Sequence, residues 1–250
     1  MKESFFNIDY LFGKENVLSA VDNVVMASGK GYIVVADGVV ANTVHRVPEY
    51  RDTVNNSLFA ICDSSWIPLY INRIYGLQRD QYCGSDIFMD IVSSQKYRMF
   101  FMGTDSVTLA GLKSELVKIN PAVSDMSFYP LPFRDVEAFD YEEIAGILEA
   151  DGAQIIWVAL GAPKQCYFMQ RLNQYLKSGV MIGVGAAFKF FSGNAEKRAP
   201  SWMIKLHLEF LYRIIQDPQK QLKRCWMIIR CLPEMIKEEK TKARSKMMPN

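Results

Sequence analysis

The sequence predicts an α/β fold: an open, mostly parallel sheet followed by a C-terminal helical appendage. Three observations predict it. Short β-branched or aromatic runs, each closed by Gly or Asp, recur through the first two hundred residues, the pattern of strands covered on both faces. The segments between them are long enough for crossover helices. Strand signals stop at Pro200, where a helical period takes over.

Taken in order, residues 32–36 (YIVVA) form a buried strand ending at Asp37 and Gly38. Residues 58–62 (LFAIC) form a second, ending at Asp63, and residues 98–102 a third, ending at Gly103, Thr104 and Asp105. Residues 155–160 and 180–184 are the fourth and fifth, ending at Gly161 and Gly185. Helices are expected over residues 107–119 and 140–150. The whole is a sheet of Rossmann-like type. Beyond Pro200, residues 201–216 read as a helix with Lys205, Glu209 and Arg213 on one charged stripe. Asp217 and Pro218 mark a break. Residues 219–231 carry Lys220, Lys223, Arg224 and Arg230 beside Trp226, Ile228 and Ile229. A third, highly charged helical stretch after Pro233 is expected to fray. The expected division is a body of residues 1–200 and a basic amphipathic appendage of residues 201–250.

Composition bounds the function. With 250 residues, 50% hydrophobic and 22% charged, the chain can bury a large core, and disordered and low-complexity classes drop out. No run of about 18 apolar residues suggests a membrane-spanning helix, and acids near the N-terminus argue against a signal peptide. Five scattered cysteines without a CxxC pair and two histidines exclude a cysteine-histidine zinc site and a disulfide framework. They suit reduced thiols in the cytoplasm. The net charge of +2 divides unevenly: residues 201–250 hold eleven Lys/Arg against five Asp/Glu, leaving the first two hundred residues acidic. A basic tail on an acidic body meets something anionic: nucleic acid, a membrane surface or a phosphorylated substrate.

Ligands of an open parallel sheet sit beyond the carboxyl ends of its strands, so the strand-terminal residues are the candidates. Asp37 is placed to bind a sugar or ribose hydroxyl, or to cap the next helix. Asp63 is a candidate general base; capping a helix that starts near Trp66 is a task Ser64 and Ser65 can also do. Gly161, Ala162, Pro163, Lys164 and Gln165 open a helix after a strand, where backbone N–H groups and Lys164 suit a phosphate, or simply form a strand–helix turn. The Gly183-Val184-Gly185 block lacks the third glycine of a dinucleotide fingerprint, so a nicotinamide oxidoreductase is the weaker reading. Arg198 belongs to a small basic cluster, Lys197-Arg198, before the tail. Cys166 is read as a buried, inert thiol.

Several blocks in order carry a resemblance: Gly84-Ser85-Asp86, Leu160 to Gln165, Gly183 to Ala187, Lys197 to Trp202, Leu208 to Arg213, and Asp217-Pro218. On these blocks the chain resembles the WecG/TagA/CpsF family of bacterial glycosyltransferases from about residue 32 to 224. The resemblance implies a Rossmann-like catalytic domain that moves a sugar, N-acetylmannosamine-type or another hexose, from a UDP-sugar donor to a polyprenyl-pyrophosphate-linked acceptor. Transfer is with inversion and without a cofactor or metal, for wall teichoic acid, capsule or exopolysaccharide. It implies Asp63 as the base. Asp37, Gly84, Ser85, Asp86, Gly103, Gly161, Lys164, Gln165, Gly185, Arg198 and Arg213 are implied to bind substrate. Arg213, Lys164 and Arg198 are the candidates for the departing diphosphate, though Arg213 also stands one turn from Glu209 and can pair with it.

The same resemblance implies an enzyme working peripherally on the cytoplasmic, inner face of the plasma membrane. Trp202, Lys220, Lys223, Arg224 and Trp226 then meet an anionic lipid surface. No nucleic-acid partner is expected. The appendage's apolar face otherwise packs on the body or on a second copy in a homo-oligomer. Val35, Asp37, Gln81, Cys166 and Lys189 stand where the family usually has Thr, Asn, Arg, Glu and Asp, which bears on donor and acceptor identity and leaves a non-catalytic or nucleotide-binding protein of the same fold as the alternative reading.

Overall fold

In the computed structural model, residues 1–193, 203 and 209–247 are described. The five expected strands are present: β3 (Lys30–Ala36), β4 (Phe59–Cys62), β5 (Met99–Gly103), β7 (Ile155–Ala159) and β8 (Gly179–Gly183). Three more, β1 (Glu3–Phe5), β2 (Ile8–Tyr10) and β6 (Ser127–Tyr129), have three residues each, too short to show a period. The eight strands form one sheet in the order β1-β2-β4-β3-β8-β7-β5-β6. Every pairing is parallel except the β1–β2 hairpin. The fold is therefore α/β with a Rossmann-like open, mostly parallel sheet.

Alternate residues of each strand point to opposite faces, and both faces are covered. Tyr32, Val34, Ala36, Ile156 and Val158 face α2 (Gly38–Arg46), α3 (Pro48–Asn55), α4 (Trp66–Tyr75), α7 (Tyr141–Asp151) and α8 (Lys164–Tyr175). Ile33, Val35, Phe101, Trp157 and Ile182 face α1 (Lys14–Met26), α5 (Gly84–Ser94), α6 (Ser106–Val117) and α9 (Ala187–Phe191). This explains the continuous apolar strands: in β3 only Lys30 escapes burial. At α2, α6 and α7 an aspartate at the helix start accepts otherwise unpaired amides. Asp105 accepts from Thr108 N at 2.8 Å and Asp140 from Glu143 N at 2.9 Å.

The C-terminal helices correct one expectation. After α10 (Glu209–Gln216), a single helix, α11, runs from Pro218 to Met247 with Pro233 inside it. The stretch after Pro233 does not fray, because it is docked. Met235, Glu239 and Ala243 are buried. Glu239, 1% exposed, accepts from Phe6 N at 2.9 Å and from the Tyr75 hydroxyl at 2.8 Å. Phe6 and Asn7 form the β1–β2 turn at φ 51° and 62°, the left-handed pair that matches strand twist. Lys242 Nζ reaches Asn7 Oδ1 at 2.5 Å. Proline's missing amide costs a helix a bond, and these tertiary contacts outweigh that cost.

Farther along, Asn42 Nδ2 donates to the Met227 carbonyl at 3.0 Å. His45 lies between Glu234 (Nε2–Oε2 3.5 Å) and Glu238 (Nδ1–Oε2 3.6 Å). Helix α11 thus packs on α2 and α4, across the carboxyl edge of the sheet. Among the described residues no helix is long and apolar enough to cross a membrane.

Candidate active site

A cavity of about 640 Å³ opens between the carboxyl ends of the central strands and the C-terminal helices. Its floor is polar. Val35 and Asp37 enter from β3, Asp63, Ser64 and Ser65 from β4, Gly161 after β7, and Gly183 and Gly185 at the end of β8. Gln81, Gly84 and Ser85 enter at the start of α5. Its roof is apolar: Ile214, Leu222, Ile228, Ile229 and Leu232, with Arg224 among them.

Asp63 does not cap the helix that follows it. Its Oδ1 accepts from Gly84 N at 2.9 Å, so it caps α5, a helix that begins 21 residues on, and the bond fixes the carboxylate beside the cavity. Ser65 occupies the cap position of α4 without a side-chain bond. The tight approach needs Gly84, since a Cβ there would stand 2.9 Å from Val35 Cγ1. Asp37 is a helix cap: its Oδ1 accepts from Val39 N and Val40 N, both at 2.9 Å. It also lines the cavity, so the capping and binding readings are compatible. Asp86 lies in the first turn of α5, outside the lining.

Gln165 is almost fully buried and bridges two strand ends. Its Oε1 accepts from Gly161 N at 3.2 Å and its Nε2 donates to Gly183 O at 3.2 Å. Gly185, at φ 53°, lies opposite. The neighbouring Cys166 is wholly buried, and burial pushes its thiol up to about 12, consistent with an inert role.

Lys164 and Gly103 lie outside the cavity lining. The Lys164 ammonium donates to the Arg134 carbonyl and stands over the Phe133 and Phe139 rings, 5.0 and 5.5 Å from their centroids. It serves the loop after β6. Gly103, at φ 118°, meets the backbone of Ala159, whose oxygen would lie 2.6 Å from an added Cβ. Its role is strand packing. Arg198 and Trp202 lie outside the described residues, as do the side chains of Arg213 and Lys220.

Arg224 was grouped by sequence with a membrane-facing cluster, yet it lines the cavity. Helical spacing carries the signal: Gln221, Arg224, Cys225, Ile228 and Leu232 recur at three and four residues and all line the cavity. Lys223, Trp226 and Arg230 fall on the other face and are exposed. Arg224 is the one cationic side chain in the lining among the described residues.

Among the described residues one group could hold a metal ion, His45 with Glu234 and Glu238. The two carboxylates address different ring nitrogens, the geometry of ion pairs between helices, and the group lies outside the cavity lining.

A family model, "Glycosyl transferase WecG/TagA/CpsF family", matches residues 6–245. Two relatives bear the name N-acetylglucosaminyldiphosphoundecaprenol N-acetyl-beta-D-mannosaminyltransferase. One, from Bacillus subtilis (strain 168), is 28% identical over 96% of this chain and 93% of its own length. The other, from Bacillus spizizenii (strain ATCC 23059 / NRRL B-14472 / W23), is 26% identical over 91% and 87%.

Proposed function

The chain belongs to the WecG/TagA/CpsF glycosyltransferase family, and from that premise we propose that it transfers a sugar from a UDP-sugar to a polyprenyl-pyrophosphate-linked sugar, with inversion, in cell-surface polysaccharide assembly. The donor is of the N-acetylmannosamine type or another hexose; the product feeds wall teichoic acid or a related capsule or exopolysaccharide. One observation carries the reading: the cavity has a strand-terminal carboxylate, Asp63, in its floor and a cation, Arg224, in its roof.

Inverting transfer needs two things of the protein. A base must take the proton of the acceptor hydroxyl as its oxygen bonds to the anomeric carbon. Positive groups must receive the UDP oxygen as the old glycosidic bond breaks on the opposite face. Asp63 is the base; its bond from Gly84 N aims it. Arg224 and, as the family resemblance implies, Arg213 receive the diphosphate. Asp37, Ser85 and the glycines at 84, 161 and 185 line the space for the sugar and nucleotide, and Gln165 holds two of those strand ends together. The apolar roof suits the first part of a lipid-linked acceptor.

The body of residues 1–200 then carries the chemistry, and residues 201–250 cover it and meet an anionic membrane from the cytoplasmic side. Leu222, Trp226 and Ile229 are 55%, 66% and 65% exposed, with Lys223 and Arg230 beside them. Arg230 lies 5.4 Å from the Trp226 centroid. Apolar groups flanked by cations suit an anionic interface.

The test is direct. Full-length protein in mild detergent is given a panel of UDP-sugars and polyprenyl-pyrophosphate N-acetylglucosamine. Transfer from one donor by wild type, lost in Asp63→Asn with the fold retained, supports the assignment. Equal rates remove Asp63 from the role, and no transfer from any UDP-sugar overturns the donor class.

A further inference from the structure

Among the described residues Phe133 is the most exposed large apolar side chain apart from Met1, at 104% of its reference area. It lies at the tip of the β6–α7 connection, and it is posted there by neighbouring contacts. Lys164 Nζ donates to the Arg134 carbonyl and stands over both the Phe133 and Phe139 rings. The Arg134 guanidinium lies 5.6 Å from the Phe139 centroid. Phe139 is buried against Phe168 at 5.1 Å. The loop therefore has an anchored base, one cation of its own in Arg134, a second lent by Lys164 of α8, and one protruding ring. Asp135 is also in the loop, and Glu137 pairs with Arg171 at 2.6 Å.

Position gives the ring its meaning. Strands β3 to β8 are mutually parallel, so every βα connection leaves the same edge, the edge where the cavity opens. Leu69 and Val107, 64% and 73% exposed, stand in the first turns of α4 and α6 on that edge. Lys164 ties the Phe133 tip to the segment after β7 that contributes Gly161 and Ala162 to the cavity. A single aromatic projecting beside cations offers no concave surface to a folded partner. It has the form of a group that enters the apolar–polar boundary of a lipid layer.

We infer that the Phe133 loop is a second membrane contact, on the body and far in sequence from α11, and that the two together turn the cavity mouth toward the bilayer. The inference rests on the membrane reading given above. It assigns Lys164 the task of holding the loop's tip.

Flotation with vesicles of equimolar phosphatidylglycerol and phosphatidylcholine tests it on the full chain, with hydrogen exchange read at residues 131–135 and 218–247. The Phe133→Ala variant is expected to partition about tenfold more weakly, the effect of losing one buried aromatic, and Phe133→Trp to partition like wild type. Residues 131–135 are expected to exchange more slowly with vesicles present. UDP binding by calorimetry should be the same in all three proteins. Protection of residues 218–247 without protection of 131–135, or wild-type partitioning of Phe133→Ala, would overturn the inference and leave α11 as the anchor. Absence of wild-type binding would overturn it together with the membrane reading. Concentration-dependent self-association that Phe133→Ala abolishes would reassign the ring to a contact between copies.

Discussion

The floor and the roof of the cavity are built on different principles. The floor is made of strand ends and helix starts, placed by main-chain bonds such as Asp63 N to Ala36 O and Val184 N to Val158 O, and by caps such as Asp37. Moving it means breaking the sheet. The roof is Ile214 of α10 and one long helix, α11, held by a few side-chain clasps: Asn42 at Met227, His45 at Glu234 and Glu238, and Glu239 at Phe6 and Tyr75. A floor that cannot shift suits groups that must meet reacting atoms. A roof on clasps suits a cover that admits a large substrate.

Substitutions can break this contrast or sharpen it. The largest effect is expected in the floor: Asp63→Asn should lower transfer by about 10²- to 10⁴-fold with a melting curve close to wild type, as measured by product formation and calorimetry. Next comes the deepest clasp. Glu239→Ala leaves the Phe6 amide and the Tyr75 hydroxyl without their acceptor, at a cost of about 3 kcal/mol. The prediction is that hydrogen exchange rises across residues 218–247 while β3 and β8 stay protected. Loss of protection in both would mean that roof and floor unfold as one unit.

Gly103→Ala should destabilise the body by about 2–3 kcal/mol, through its left-handed backbone and the Ala159 clash, without loosening α11 first. The smallest effect concerns a cap at the sheet's edge. Bonds from the Thr108 amide and hydroxyl lower Asp105 to about 2, below its unfolded value near 3.9. Its contribution is therefore present above about pH 4 and lost as pH falls toward 2. Asp105→Ala should cost about 1 kcal/mol at neutral pH, and the gap from wild type should close in denaturant melts taken across that window.

Much of the floor was legible because strands buried on both faces write continuous apolar runs, and their last residues point to the cavity. Asp63, Gly161 and Gly185 fall where that rule puts them, whereas Gly84 begins α5 and was marked by the resemblance alone. The three-residue strands were not legible, since no period fits in them. Pro233 misled because local chemistry forbids what Met235 and Glu239 enforce from a distance. The ring contacts of Lys164 were illegible for a related reason: a lysine at a helix start suits a phosphate locally, but Phe133 and Phe139 lie about thirty-one and twenty-five residues upstream. Arg224 shows the reverse, since its spacing placed it on the inward face while its charge alone suggested the outward one.

The bond between the Phe6 amide and Glu239 spans 233 residues. At a ribosomal rate of about 5–20 residues per second, the hairpin turn is made roughly ten to fifty seconds before its partner emerges. Until then the Phe6 amide lacks its acceptor and the faces of α2 and α4 that α11 covers stay bare. Closure of the cavity by this clasp thereby reports that translation has passed residue 239.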